Sequence, residues 1–299
     1  MILVTGANGL LGSFICRKLL NEGQEFKALK RASSDLKLLQ EIKHLIHWET
    51  ADLADSTALY QVLEGVDVVF HCAAMVSFDR RDSKAMYHIN VEGTKTLVDT
   101  CLERGVQKFV HISSIAAIGK GEKEDSIVNE GTQWVNSEAS TSYAKTKHLA
   151  ELEVWRGEME GLKTIIVNPS VILGPGDWNK SSCRIFKYLW EEKPYYTDGD
   201  LNYVDVRDVA DMLYQLYLSG THGERYILNA GRVSFSDLFN RISQNFEKRT
   251  PKIKVGKSLI RMAISFERLR SFLTRSKPLI PEESKQFSGK KPNYDNTKI

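Results

Sequence analysis

The chain has 299 residues, of which 42% are hydrophobic and 26% are charged, as in ordinary globular proteins with a sizeable core. Its 41 basic and 38 acidic residues leave a formal net charge of +3, which gives no reason to expect a nucleic acid as the main partner. The four cysteines form no CxxC pair, so we interpret them as core thiols in a reducing compartment and expect neither disulfides nor a metal site.

Short apolar runs alternate with helix-like segments through the first half of the chain. The strand candidates are 2–6, 25–31, 45–52, 66–73, 108–114 and 163–170. Between the first two runs, Leu10, Phe14, Ile15 and Leu19 recur at helical spacing. Apolar strands separated by helices predict a parallel sheet covered on both faces, with right-handed crossovers. We therefore predict a doubly wound α/β fold of the Rossmann type.

The alternation breaks after Ser170. Residues 172–183 are rich in Gly, Pro and polar residues and predict a long loop. Residues 203–218 predict a strand that leads into a helix, and 225–231 predict one more strand. From position 232 onward the pattern is mostly helical, and a polar tail begins near position 276.

The stretch TGANGLLG (5–12) joins the first predicted strand to the first predicted helix. Gly6 permits a tight turn, Gly9 lets the backbone approach a pyrophosphate, and Gly12 lets the helix pack closely on the strand. The helix then offers free N–H groups and the positive end of its dipole to the phosphates. Plain turn glycines are the alternative, and the position between strand and helix favours a dinucleotide site.

These patterns divide the chain into two parts. Residues 1–174, with 203–231 returning to them, are predicted to form a dinucleotide-binding domain. Residues 175–202 and 232–299 are predicted to form a smaller, mostly helical substrate lobe over the carboxyl ends of the strands. No signal peptide or long apolar span is evident, so we expect a cytoplasmic protein.

The end of the second predicted strand indicates which cofactor is preferred. Enzymes that select NAD typically carry an acidic residue there for the ribose 2′-hydroxyl. This chain has Lys30 and Arg31, followed by Ser33 and Ser34, with no acid until Asp35. A guanidinium matches a 2′-phosphate with two hydrogen bonds. We predict that NADP(H) is favoured over NAD(H), with Arg31 as the main contact, the alternative being a solvated basic pair on a loop.

Further motifs follow in a fixed order. They are DL (52–53), HCAA (71–74), NVEGT (90–94), ISS (112–114), YAKTK (143–147), NPSVILGPG (168–176) and YVDVRDVA (203–210). Together with TGANGLLG they resemble the extended short-chain dehydrogenase/reductases of the NAD-dependent epimerase/dehydratase superfamily. LKRASSD (29–35) and NPSVILGPG are most similar to the dihydroflavonol-reductase-like branch. The ending KPNYDNTKI resembles a segment that leads into a further stretch in this branch, so a truncated C-terminus is expected.

Four residues are candidates for the chemistry. Tyr143 and Lys147 are spaced to share one helix face, where an ammonium would lower the phenol pKa toward a useful range. Ser114 ends a predicted strand, where its hydroxyl would donate to a substrate carbonyl. The resemblance implies that Tyr143 is the acid/base, that Lys147 also holds the nicotinamide ribose, and that Ser114, beside Ser113, is the catalytic serine. It implies further that Asn90 supports the lysine through water. Local capping is the alternative for the serines and for Asn90.

The resemblance also implies the contacts of the cofactor. Asp52 and Leu53 would hold the adenine. The other implied contacts, besides the three glycines, Arg31, Tyr143 and Lys147, are Asn8, Leu10, Leu11, Ala73, Ala74 and Pro169. His71 is interpreted as a structural residue.

The sequence therefore predicts an NADPH-dependent reductase of a small-molecule aldehyde or ketone. One alternative is a nucleotide-sugar epimerase or dehydratase that retains its cofactor, and another is a non-catalytic NADP-binding regulator. Nothing identifies the substrate, because Trp178, Trp190, Tyr195 and Tyr196 fit either an aromatic-rich pocket or a core.

The segment 255–273 carries apolar residues near one helical face, with arginines around them. It is expected to pack on its own domain and roof the substrate pocket, and association with a membrane surface is the weaker alternative. By analogy with the family, a homodimer through the helices that carry NVEGT and YAKTK is expected.

Overall fold

A computed structural model describes residues 1–119, 127–135, 140–256, 258–259, 262 and 292–299 of the chain. The strands are β1 (Ile2–Thr5), β2 (Phe26–Lys30), β3 (His47–Thr50), β4 (Val68–His71), β5 (Lys108–Ile112), β6 (Ile127–Val128), β7 (Lys163–Pro169), β8 (Val171–Leu173), β9 (Tyr195–Thr197), β10 (Asp200–Asp205), β11 (Glu224–Leu228), β12 (Gly231–Ser234), β13 (Ile253–Val255) and β14 (Asn293–Tyr294). The helices are α1 (Leu10–Asn21), α2 (Ser56–Val62), α3 (Ser83–Tyr87), α4 (Gly93–Arg104), α5 (Ser142–Met159), α6 (Arg184–Trp190), α7 (Val206–Leu218) and α8 (Phe235–Asn245).

The main sheet has the strand order β11-β7-β5-β4-β1-β2-β3, and every neighbouring pair is parallel. The order reverses at β1, which is the signature of a doubly wound sheet. The six early strand candidates and the candidate at 225–231 all form strands of this sheet. The predicted Rossmann fold is therefore confirmed.

Two layers of helices cover the sheet because successive strand residues point to opposite faces. In β1, Ile2 and Val4 pack toward α1 and α7, whereas Leu3 packs toward α2, α4 and α5. On α1 the buried apolar residues are Leu11, Ile15, Cys16 and Leu19, with Leu10 and Phe14 only partly buried. Fully burying such a side chain contributes roughly 1.5–3 kcal/mol each.

The second part of the chain contains strands as well as helices. β8 and β10 pair in parallel, β12 joins β10 antiparallel, and β9 pairs with β13. With α6 and α8 they form a lobe that has its own apolar cluster around Leu201, Phe235 and Leu238. α7 packs back on α1, and β11 extends the main sheet. The predicted helix over 255–273 lies almost entirely outside the described residues, as does most of the tail.

All four cysteines are free thiols, and three of them are buried. In the part of the chain that the structure describes, no helix combines the length and apolar character needed to cross a membrane.

The turn between β1 and α1 leaves no room for side chains at two of its glycines. Gly6 has a φ of +65°, and a Cβ there would lie 2.6 Å from the Ala73 nitrogen. A Cβ at Gly12 would collide with the Gly6 carbonyl oxygen, so Gly12 serves the turn itself as well as the packing of helix on strand. Gly9 closes the turn by donating its N–H to Gly6 at 2.9 Å.

Two histidines are buried side by side in the sheet. His71 on β4 and His111 on β5 are in register, with ring centroids 5.3 Å apart. His71 bonds Thr5 and Thr94 through its two ring nitrogens, as expected of a structural residue. Neither ring nitrogen of His111 has a partner among the described residues. Burial, and then the nearby Lys147 charge, lower the pKa of His71 to about 3 and the pKa of His111 well below its usual value.

The first prediction concerns the glycine-rich turn. Gly12→Ala is expected to lower the free energy of unfolding by ~1–3 kcal/mol, because the methyl group forces the turn apart. Gly220→Ala is the matched control, since its Cβ would meet nothing within 4 Å. Urea unfolding followed by circular dichroism measures both. Equal losses in the two variants would contradict this explanation of the turn.

The second prediction concerns acid stability. The unfolded chain binds protons at both histidines near pH 6.5, whereas the folded chain keeps His71 neutral down to about pH 3. Stability therefore falls as the pH drops below 6.5, by about 2 kcal/mol per histidine between pH 7 and pH 5. His111→Leu removes one such group, so its loss over that range should be smaller than that of the wild type by about 2 kcal/mol. Urea midpoints at the two pH values decide this, and an unchanged acid loss in the variant would refute the assignment.

Candidate active site

Three candidate catalytic side chains meet where β5 ends. Ser114 follows β5, and Tyr143 and Lys147 occupy successive turns at the start of α5. Thr141 caps this helix by accepting a hydrogen bond from Ala144 at 3.0 Å. The Ser114 side chain lies beside the Tyr143 phenol and lowers its pKa, and the Phe78 ring packs edge-on with its centroid 6.4 Å from that of the tyrosine ring. The structure therefore brings together the three residues that the motifs singled out.

The Tyr143 phenol differs from the expectation in the direction of its pKa. Burial raises the pKa of Tyr143 above its usual value, and the neighbouring Ser114 side chain offsets this only in part. The expectation that Lys147 lowers this pKa is therefore wrong, because the cost of desolvation dominates and the offset comes from Ser114. The tyrosine therefore keeps its proton at neutral pH, which is the state that a proton donor requires.

The Lys147 ammonium is almost completely buried and donates to the Ile112 carbonyl at 2.7 Å. Burial lowers the pKa of Lys147 to about 8, and nearby Glu151, followed by Cys72, acts in the opposite direction. At neutral pH the ammonium form still predominates. Lys147 thus places a positive charge beside the end of β5.

Asn90 connects the loop after β4 to α5. It lies in a π-helical turn (His88–Glu92) that leads into α4. Its side chain accepts from the Met75 N–H at 2.7 Å and donates to the Met75 carbonyl at 3.0 Å. It also donates to Thr146 Oγ1 at 3.1 Å. Through these direct hydrogen bonds, Asn90 holds the loop after β4 against α5.

Ser114 and Ser113 have different surroundings. The Ser114 hydroxyl accepts from the Ala116 N–H at 3.2 Å, so it also caps the short turn that follows it. Ser113 is buried, its backbone N–H donates to the Val167 carbonyl at 2.7 Å, and its hydroxyl has no partner among the described residues. Of the two serines, Ser114 is the one that reaches Tyr143.

The candidate cofactor residues line the carboxyl edge of the sheet. Asn8 in the glycine-rich turn donates to the Asp35 carbonyl at 3.3 Å, which joins this turn to the end of β2. Arg31 is exposed, and its backbone N–H donates to Ser34 Oγ at 3.0 Å. The Asp35 carboxylate accepts from the Lys37 N–H at 3.0 Å, so it is directed into its own loop.

The remaining candidates are held by backbone packing. Leu11 is buried in the core, so only its N–H is available to a phosphate, whereas half-buried Leu10 contacts the loop at Gly176. Ala73 donates its N–H to Thr5 Oγ1 at 3.3 Å, and Ala74 next to it is exposed. Pro169 is buried at the end of β7.

Asp52 and Leu53, the DL pair, make different kinds of contact. Exposed Asp52 accepts from the Ala54 N–H at 3.0 Å. A Cβ at Gly93 would lie 3.1 Å from the Leu53 Cβ, so the glycine of NVEGT lets α4 approach this pair closely.

Two buried residues behind the site were not predicted from the sequence. Asn168 donates through Nδ2 to the Ser114 carbonyl at 2.8 Å and to Glu151 Oε1 at 2.6 Å. Glu151 lies one turn beyond Lys147 and is fully buried. The spacing Tyr143, Lys147, Glu151 on a single helix face was a visible signal for it.

Comparisons with known proteins agree with this architecture. The sequence pattern of the NAD dependent epimerase/dehydratase family matches residues 2–231. A protein of Synechocystis sp. named "Putative dihydroflavonol 4-reductase" is 33% identical over 303 residues, covering 99% of this chain and 87% of that protein. Cinnamoyl-CoA reductase 2 of Arabidopsis thaliana is 32% identical over 243 residues, covering 76% of this chain and 72% of that enzyme.

A solved structure is similar along the full chain. The crystal structure of gox2253 superposes with a TM-score of 0.83 at 31% identity, covering 100% of this chain and 90% of that one. The match over residues 2–231, these relatives and the doubly wound sheet with its Ser114, Tyr143 and Lys147 lead to one conclusion. The chain belongs to the NAD-dependent epimerase/dehydratase family of extended short-chain dehydrogenase/reductases, a family of nicotinamide-dependent enzymes.

Proposed function

We propose that this protein is an NADPH-dependent reductase of a small-molecule carbonyl. The observation that carries the proposal is the meeting of Ser114 and a protonated Tyr143 where β5 ends, with the Lys147 ammonium one helical turn away. Two donors that converge on one point suit a carbonyl oxygen that gains negative charge. The names of the similar reductases support the same reaction class.

The glycine-rich turn fits a nicotinamide dinucleotide. Gly9 begins α1 and no side chain caps this helix end, so its first N–H groups and its dipole are available to a pyrophosphate. Gly6 and Gly12 let the backbone of this turn pack closely, since a Cβ at Gly6 would lie 2.6 Å from the Ala73 nitrogen and one at Gly12 would collide with the Gly6 carbonyl oxygen. Asn8, Asp52 and Arg31 would hold the adenosine end, and Tyr143 and Lys147 the nicotinamide ribose.

The residues of the chain divide the chemistry between them. When bound, the reduced nicotinamide supplies the hydride that the carbonyl carbon accepts. Ser114 donates a hydrogen bond to the carbonyl oxygen, and Tyr143 transfers its phenolic proton to that oxygen, so the carbonyl becomes an alcohol. The Lys147 ammonium stabilises the phenolate that remains until a solvent proton restores it.

The end of β2 supports the preference for NADP(H). Within the described residues, the exposed Arg31 guanidinium has neither an ion pair nor a hydrogen bond, so it is available to a 2′-phosphate. The nearest acid along the chain, Asp35, is bonded to the Lys37 N–H and lies 3.4 Å from the Lys37 ammonium. No carboxylate is thereby left to favour the 2′-hydroxyl of NAD at this turn.

The family description favours a second candidate function. A nucleotide-sugar epimerase or dehydratase would use the same Ser114, Tyr143 and Lys147. It would oxidise its substrate and then reduce it again, so that the retained cofactor is reduced and reoxidised within each cycle. This alternative predicts no net consumption of NADPH. A non-catalytic regulator would not need the three side chains together.

Pairing of two copies through α4 and α5 remains our proposal for the assembly. Leu149 and Leu152 on α5 are 37% and 49% exposed, which supports an apolar contact on this helix. Sedimentation of the purified protein would measure the mass of the particle in solution.

The third prediction tests the choice of cofactor. Arg31→Ala should weaken NADPH binding at least ten-fold, a difference of ~1.4 kcal/mol, and leave NADH binding unchanged. The measurement is quenching of the chain's tryptophans at fixed salt. Lys43→Ala, another exposed cation that precedes β3, is the control and should change neither affinity. If wild type binds NADH as tightly as NADPH, the proposed preference is wrong.

The fourth prediction tests the proton donor. Tyr143→Phe should lower kcat by about 10²–10⁴-fold for NADPH-dependent reduction of an aldehyde, while NADPH affinity stays within three-fold. A panel of aromatic and aliphatic aldehydes and of α-diketones supplies the substrate. Tyr60→Phe alters an exposed tyrosine on α2 and should retain full activity. Full activity in Tyr143→Phe would remove this residue from the mechanism.

A further inference from the structure

A buried polar chain runs behind the proposed catalytic residues. Arg225 on β11 donates to Glu151 Oε2 at 2.6 Å, and the other oxygen of Glu151 accepts from Asn168 at 2.6 Å. Asn168 continues to the Ser114 carbonyl at 2.8 Å. The chain thus links an edge strand of the main sheet to the residue proposed to polarise the substrate.

This arrangement is costly unless every charge is compensated. Glu151 and Asn168 are completely buried, and the Arg225 side chain is 16% exposed. Burying an unpaired carboxylate is strongly unfavourable, so the two hydrogen bonds to Glu151 compensate for its burial. Each oxygen of the Glu151 carboxylate is therefore held by one hydrogen bond, from Asn168 on β7 or from Arg225 on β11.

We propose that Glu151 and Asn168 are positioning residues of the reductase site. Together they hold the end of β5 against α5, and Glu151 also supplies the counter-charge of Lys147. This inference rests on the proposed function. Asn168 fixes the backbone of Ser114, and thus the direction of its hydroxyl toward Tyr143. Glu151 anchors Asn168 and lies on the same face of α5 as Lys147, one turn further along.

The electrostatic part is specific to Glu151. Titratable groups surround Lys147 from three elements, namely Tyr143 and Glu151 on α5, His71 and Cys72 at the end of β4, and His111 on β5. Burial raises the pKa of the Cys72 thiol and of Tyr143, and it keeps both histidines neutral above pH 7. His148 faces Glu151 and Arg225 from α5, and burial lowers its pKa as well. Between pH 7 and pH 9, Glu151 is thus the charged neighbour that favours the Lys147 ammonium.

The test compares Glu151→Gln and Asn168→Ala with wild type from pH 6 to pH 10. Wild type should lose kcat as the pH rises through about 8, because Lys147 loses its proton there. In Glu151→Gln this alkaline limb should move to lower pH by roughly half a unit or more, because the favourable charge is gone. Asn168→Ala keeps the ion pair between Glu151 and Arg225, so the alkaline limb should stay in place. Because the variant no longer holds the Ser114 backbone, its kcat should fall about ten-fold.

Controls separate positioning from damage to the fold. Glu153→Gln makes the same chemical change on the same helix, where the carboxylate pairs with partly exposed Arg156, and it should behave like wild type. Urea unfolding checks that each variant is folded. If Glu151→Gln does not fold, Asn168→Ala decides: kcat equal to wild type overturns the proposal, and a ten-fold loss with an unmoved limb supports it.

A second readout does not depend on turnover. Lys147 is proposed to hold the cofactor ribose, so NADPH affinity should weaken as the pH rises, and earlier in Glu151→Gln than in wild type. If the pH midpoints of kcat and of NADPH affinity are the same in Glu151→Gln as in wild type, the proposed role of Glu151 is overturned. If wild type reduces no aldehyde or diketone of the panel, the proposed function fails by itself, and the shift in NADPH affinity still decides the role of Glu151.

Discussion

The hydrogen bond from the Lys147 ammonium to the Ile112 carbonyl is the interaction on which this site depends. It ties the second turn of α5 to the last residue of β5, so Tyr143 on the preceding turn and Ser114 just beyond the strand are brought side by side. A buried ammonium loses its hydration, and a carbonyl oxygen compensates only part of that loss. Nearby Glu151, to which Asn168 donates a hydrogen bond, also favours the charged form of Lys147.

The same interior explains why catalytic and structural roles are hard to separate. His71 joins β1 to α4 through Thr5 and Thr94, and Asn90 joins the loop after β4 to α5. Both residues lie beside the proposed site and act through hydrogen bonds that fix backbone positions. Low-dielectric surroundings strengthen these bonds and also set the protonation of Tyr143 and Lys147.

Much of the fold could be predicted from the sequence because the strands of the main sheet and the first helix follow from the spacing of apolar residues within short segments. Apolar runs gave the strands of the main sheet to within a few residues, and the glycine spacing placed the turn before α1. The strands of the lobe were harder: only the end of β10 was predicted, because β8 and β12 are stabilised by pairing with β10 from distant parts of the chain, which no local pattern shows. Trp178 and Trp190 pack around Phe246, but Trp190 is 49% exposed and Tyr195 is 53% exposed, so these residues form neither a closed core nor a closed pocket. The aromatic residues alone could not distinguish these outcomes.

Within the site, the sequence predicted which residues meet and missed what their surroundings do to them. The direction of the Tyr143 pKa depends on the depth of burial, which spacing along a helix does not contain. Arg225 is 74 residues from Glu151 in sequence, so that pair emerges only when β11 joins the sheet. Asn168 was visible in NPSVILGPG as part of a motif, but its two acceptors come from different elements.

The most direct test of the account follows the hydride. NADPH that carries deuterium at both C4 positions would be incubated with the protein and an accepted aldehyde, and the products analysed by mass spectrometry. The account predicts one deuterium on the carbinol carbon and one NADP⁺ formed per alcohol. An alcohol without deuterium, or a nucleotide sugar that isomerises while the NADPH concentration stays constant, would contradict it.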